Sequence, residues 1–183
     1  DSMPTKLDPE YLSDEYFDRN RREQLRLAAT LHDIGKIVIP KVIMNKATRL
    51  DKNIENLIGR YKLLNAYYEI DILSNRISEE EGRNLQKYIH ESLLFIQEID
   101  GAGFLLQEKI DRIIEIGEKE YVTPDGECIP FLTDYEKNCL LIQKGTLTEE
   151  ERKIMESHVV MTEKILSKVK FHSFHKDVPS IAA

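Results

Sequence analysis

The chain has 183 residues, 41% hydrophobic and 32% charged, with a net charge of −7. That length supports one domain with a real core, or a domain carrying a large insertion. The acidic balance argues against a broad basic face for a nucleic acid polymer. No apolar run approaches the length of a membrane span, and the first residues lack a basic-then-apolar secretion pattern, so a cytoplasmic protein is expected.

Residues 1–10 hold two Pro and read as a loosely held lead-in, and residues 14–22 as a short, broken helix. Residues 23–31 predict a helix with Leu25, Ala28, Ala29 and Leu31 apolar. Gly35 is expected to end or kink it, since a residue without Cβ tolerates positive φ. Ile37, Val38 and Ile39 form an apolar connector, Pro40 can open a further turn, and Val42, Ile43 and Met44 are expected to floor a site.

From residue 51 the pattern changes. Ile54, Leu57, Tyr61, Leu64 and Tyr68 follow a 3-4 spacing, which predicts a long helix with an apolar seam. Ser78 and Glu81 form a capping box for a second helix, with Leu85, Ile89, Ser92, Ile96 and Ile99 along one stripe. Ile110, Ile113, Ile114 and Ile116 mark a third, ending near Gly117. Thr123-Pro124-Asp125-Gly126 signals a turn inside a loop-rich return over residues 117–142. Cys128 and Cys139 lack a CxxC spacing and are expected as free thiols in a reducing compartment. Thr148 and Glu151 form another capping box, starting the helix expected to carry His158 with Ile154, Met155, Val159, Met161, Ile165, Leu166 and Val169 on a buried face. A loop over residues 171–179 and the start of a further helix close the chain.

The chemistry concentrates at residues 32–36. His32 and Asp33 are adjacent, and Lys36 stands at i+3 from Asp33 and i+4 from His32, which on a helix makes the three groups neighbours. A histidine nitrogen beside a carboxylate is a mixed N/O pair that suits Mn, Fe or Zn. An ammonium one turn away can meet an anionic phosphate.

The string from Leu27 to Pro40 resembles the HD superfamily of metal-dependent phosphohydrolases. The continuation through Ile43-Met44-Asn45-Lys46, and the block Gly145-Thr146-Leu147-Thr148-Glu149-Glu150-Glu151 ahead of His158, are similar to the HD-GYP subfamily of bacterial cyclic-di-GMP phosphodiesterases. The resemblance implies an all-α helical bundle, with the HD core in residues 1–50 and 143–183 and a long helical-hairpin insertion at 51–142. It implies two divalent metal ions, Fe or Mn, with His32, Asp33 and His158 as ligands and Asp33 bridging. It gives Lys36 the substrate phosphate, and Asp33 and Lys36 the catalytic roles. The substrate is then a cyclic dinucleotide, hydrolysed to pGpG or GMP.

The family also carries an upstream ligand, for which Glu10, Glu15 and Glu23 are poor substitutes. Its His-His pair and Gly-Tyr-Pro signature would fall beyond Ala183, so the chain as written is expected not to turn over the dinucleotide. His172 and His175 are expected in a surface loop, and His90 as structural or exposed. The insertion's apolar stripes suggest a surface for a homodimer. Two alternatives stand beside the first reading: an HD phosphohydrolase acting on another nucleotide, and a non-catalytic HD-type signalling or dimerisation module.

Overall fold

A computed structural model describes residues 18–182. The lead-in, residues 14–17 of the short helix expected over 14–22, Glu10, Glu15 and Ala183 lie outside the described residues, and residues 19–22 belong to the first described helix. In chain order the elements are α1 (Arg19–Leu31), a 3-10 turn (Ile34–Val38), α2 (Lys41–Met44), α3 (Asn53–Leu73), α4 (Glu79–Asp100) and α5 (Gln107–Gly117). A hairpin of β1 (Glu120–Val122) and β2 (Cys128–Pro130) follows. Then come α6 (Asp134–Leu140), α7 (Glu149–Glu156), α8 (His158–Leu166), a second 3-10 turn (Ser173–His175) and α9 (Val178–Ala182). The fold is all-α apart from that hairpin. No helix among the described residues is long and apolar enough to cross a membrane. The chain divides into two compact units, described residues 18–41 with 153–182, and residues 42–152.

In the unit 42–152 the 3-4 spacing becomes a core. Leu57, Tyr61, Leu64 and Tyr68 of α3 are buried with Ile89, Ser92, Ile96 and Ile99 of α4. Ile113 and Ile116 of α5, Tyr121 of β1, Phe131, and Cys139 and Leu140 of α6 belong to the same cluster. The two long stripes are therefore covered within this unit by α5, the strands and α6. Arg49, fully buried, donates to the carbonyls of Ile142 (3.0 Å), Ile99 (2.8 Å) and Ala102. Lys46 gives both oxygens of Glu151 an ammonium hydrogen bond, at 3.0 and 2.7 Å. Glu151 also accepts from the Thr148 amide at 2.9 Å, completing the expected capping box with the 3.2 Å bond from its own amide to Thr148 Oγ1. Ser78 caps α4 through the Glu81 amide, at 3.1 Å.

Residues 117–142 correct the expected loop. The predicted turn is present, with Gly126 at φ +85°, but it closes an antiparallel hairpin that pairs Tyr121 with Ile129. Thr133 and Glu136 form a third capping box, which starts α6. Glu136 is buried and also pairs with Arg60 of α3. Strands of three residues and a helix of seven contain too few periods for an apolar pattern to register.

The other unit places α9 against both α1 and α8, around Ala28, Leu166, Val178 and Ala182. Asp18 caps α1, accepting from the Arg21 amide at 2.7 Å. The single helix expected from Glu149 through His158 is instead two. At Ser157 the amide is shared between the carbonyls of Lys153 (3.1 Å) and Ile154 (3.2 Å), and the Ser157 hydroxyl donates to Ile154 O at 2.7 Å. This local competition tightens the turn. The buried line of α8 is Thr162 and Leu166, while Ile154, Val159, Val160 and Val169 are exposed. The segment 171–179 is not wholly loop, since it holds the second 3-10 turn and the start of α9. His90 and His172 are exposed, and His175 is half-buried. Of the residues expected to floor a site, Ile43 is buried, whereas Val42 and Met44 are exposed.

Candidate functional site

The His-Asp pair sits just past a helix, not on one. α1 ends at Leu31, His32 is its C-cap, and Asp33 leaves the helical region at φ −103°, ψ 7°. The Lys36 amide bonds Asp33 O at 2.9 Å to start the 3-10 turn. Three residues per turn place i and i+3 one above the other. Lys36 Nζ accordingly reaches Asp33 Oδ2 at 2.8 Å.

Gly35 serves a different purpose from the one expected. It does not have positive φ. A Cβ there would fall 2.0 Å from His158 O and 2.6 Å from Thr162 N, so its bareness admits the backbone of α8.

That close approach brings His158 to Asp33. His158 Nε2 lies 3.6 Å from Asp33 Oδ1, and His32 Nε2 lies 3.2 Å from Oδ2. The other nitrogen of each ring faces a backbone carbonyl: His32 Nδ1 to Ala29 O at 2.7 Å and His158 Nδ1 to Met155 O at 2.5 Å. A carbonyl accepts but cannot donate, so each Nδ1 carries a hydrogen and a neutral ring turns its Nε2 lone pair toward the carboxylate. Two lone pairs facing one anion are stabilised by something positive between them, a proton on the ring or a cation. A carbonyl holding Nδ1 is also how metal-binding histidines are commonly oriented. The N, O, N donor set fits a first-row divalent ion.

The three residues form two pairs sharing Asp33. Among the described residues, no group of three or more His, Cys, Asp or Glu stands close enough to hold an ion as it is placed. Glu23 is exposed on α1.

Lys36, by its hydrogen bond, holds the Asp33 carboxyl below its ordinary range against a smaller opposing effect of burial, and the charge of Lys36 adds to the lowering. The site is open. The side chains of His32, Asp33 and His158 are 58%, 39% and 20% exposed. A cavity of about 760 Å³ lies in the unit 42–152 beside Tyr68, Tyr88 and Phe131, and none of these site residues lines it.

One residue that sequence reasoning passed over is Thr162. It is fully buried, and its Oγ1 accepts from the Gly35 amide and donates to His32 O, both at 3.0 Å. The signal was available, because Thr162 is four residues from both His158 and Leu166 and so lies on the inward line of α8.

A family profile described as HD domain matches residues 7–101, just over half of the chain. The chain belongs to the HD domain family. The match takes in His32, Asp33 and Lys36 and its span includes α3 and α4, while His158 lies past its end. No curated protein and no solved structure matches the chain.

Proposed function

We propose that this chain carries the metal centre of a metal-dependent phosphohydrolase of HD type, with cyclic-di-GMP as the substrate. The observation that carries the reading is the orientation at Asp33: two histidines, fixed by backbone carbonyls, turn Nε2 toward opposite oxygens of one carboxylate. His32, Asp33 and His158 would hold a divalent ion, Fe or Mn, and a second ion would share Asp33. Bound there, such ions supply charge to a phosphate and make a water more acidic. Lys36 would leave Asp33 Oδ2 to meet a phosphate oxygen, stabilising charge as it builds there. Family membership supports the reaction class. The substrate rests on the Asn45-Lys46 and Gly145–Glu151 blocks, and the Lys46–Glu151 pair joins those two blocks.

The ligand count favours a second reading, a non-catalytic HD-type module. One experiment separates them: metal content and cyclic-di-GMP turnover of the purified chain in Mn²⁺ or Fe²⁺, beside Asp33→Ala. Metal binding and hydrolysis that both vanish in Asp33→Ala support the enzyme. Bound metal with neither binding nor turnover of this or any other nucleotide supports the module, and equal behaviour of the two proteins defeats the metal reading.

A further inference from the structure

We propose that Thr162 is a positioning residue for the His32–Asp33–His158 centre, and that its hydroxyl sets how tightly the centre holds a divalent ion. The inference rests on the metal-site reading above. The two groups Thr162 touches are particular ones. His32 O and the Gly35 amide are three residues apart, the pair that an uninterrupted 3-10 turn would join directly. The hydroxyl stands between them, accepting from one and donating to the other at 3.0 Å. Both bonds therefore flank Asp33, whose φ of −103° and ψ of 7° depart from the helix.

A side chain inserted into a hydrogen-bond ladder opens it locally. Here the opening aims the Asp33 carboxylate, with Oδ2 near His32 and Oδ1 near His158. The inserting group comes from the same helix as His158, one turn further on. Thr162 thus ties the orientation of Asp33 to the position of the histidine that approaches it. Gly35 makes this possible, because a Cβ there would fall 2.7 Å from Thr162 Oγ1 as well as against the α8 backbone.

Without the hydroxyl, His32 O and the Gly35 amide can still pair with each other. The turn then closes and stays satisfied, but Asp33 rotates out of its present direction. Loss of the hydroxyl should therefore reduce metal affinity by more than any loss of stability accounts for. The test measures Mn²⁺ affinity of the full chain at one pH for wild type, Thr162→Val, Thr162→Ser and Val178→Ala. Val178 is buried in the core of the same unit, so its truncation reports general loosening.

Affinity at least tenfold weaker in Thr162→Val, with Thr162→Ser within threefold of wild type and Val178→Ala unchanged, is the expected result. Wild-type affinity in Thr162→Val, an equal loss in Thr162→Ser, or an equal loss in Val178→Ala overturns the proposal while leaving the metal site in place. A wild-type chain that binds no Mn²⁺ overturns the metal reading and this inference together.

Discussion

At Gly35 the obstacle to any side chain is backbone, the His158 carbonyl and the Thr162 amide, and backbone in a packed helix has little room to give. Gly35→Ala should cost about 3 kcal/mol by overpacking, read from urea unfolding of the full chain. A cost below about 1 kcal/mol would mean that α8 can move away from the turn without penalty. At Asp33 the expectation is chemical. Asp33→Asn keeps the shape but removes the charge that both imidazoles and Lys36 face, so Mn²⁺ affinity should fall by at least about tenfold. Unchanged affinity would place the ion elsewhere. The residues proposed to carry this chemistry stood out because His32, Asp33 and Lys36 lie within five positions. The pairing of Asp33 with His158 was legible from the resemblance of two separate blocks and not from any periodicity. Thr162 was missed because a threonine among apolar residues looks like packing until its two backbone partners are seen.

At the scale of elements, long helices were readable and short ones were not. α3 and α4, of 21 and 22 residues, repeat their apolar spacing often enough to stand out. α6 rests on a capping box and on the pairing of buried Glu136 with Arg60, 76 positions earlier, which no local window contains. The hairpin is anchored in the same non-local way. Tyr121 OH donates to Asp71 Oδ2 of α3 at 2.9 Å, and Arg76 sits 2.9 Å from the other oxygen. Burial, with the Asp71 bond and charge, pushes the Tyr121 hydroxyl up from 10.0 to about 12.

A raised value favours the protonated phenol in the fold. Its contribution is therefore complete below pH 10, and it is lost as the pH climbs from 10 toward 12. Wild type should be more stable than Tyr121→Phe by an amount that shrinks by about 2 kcal/mol across that window. Denaturant midpoints at pH 8 and 11.5 check this, and a constant difference would show that the bond to Asp71 does not govern the phenol. The Lys46–Glu151 pair makes a similar case near the ends of this unit, with Lys46 only 3% exposed. Lys46→Ala should destabilise by about 3 kcal/mol, since it leaves a largely buried carboxylate without its cation. Glu151→Gln should cost less, and losses below about 1 kcal/mol in both variants would argue that the pair is a surface contact.

Across the whole molecule, the unit 42–152 holds a complete core and ties residues near both of its ends together through Lys46 and Glu151. Excised as residues 42–152, it should melt cooperatively with the sharpness of a folded domain. A broad, non-cooperative melt would show that it depends on the rest of the chain. The Gly35–Thr162 contact, by comparison, spans 127 positions. During synthesis at about 5–20 residues per second, the His-Asp turn would wait roughly 6–25 s for its partner helix to be made. Folding of the intervening unit in that interval would shorten the loop still to be closed from 127 residues to about 22, lowering the entropic cost by about 1.5 kcal/mol. Pulse-labelled hydrogen exchange should then protect the Ile96 amide before that of Gly35, and simultaneous protection would refute the order. The centre would thus form only after the unit 42–152, and a nascent chain released before Thr162 would carry the HD sequence with its turn unlatched.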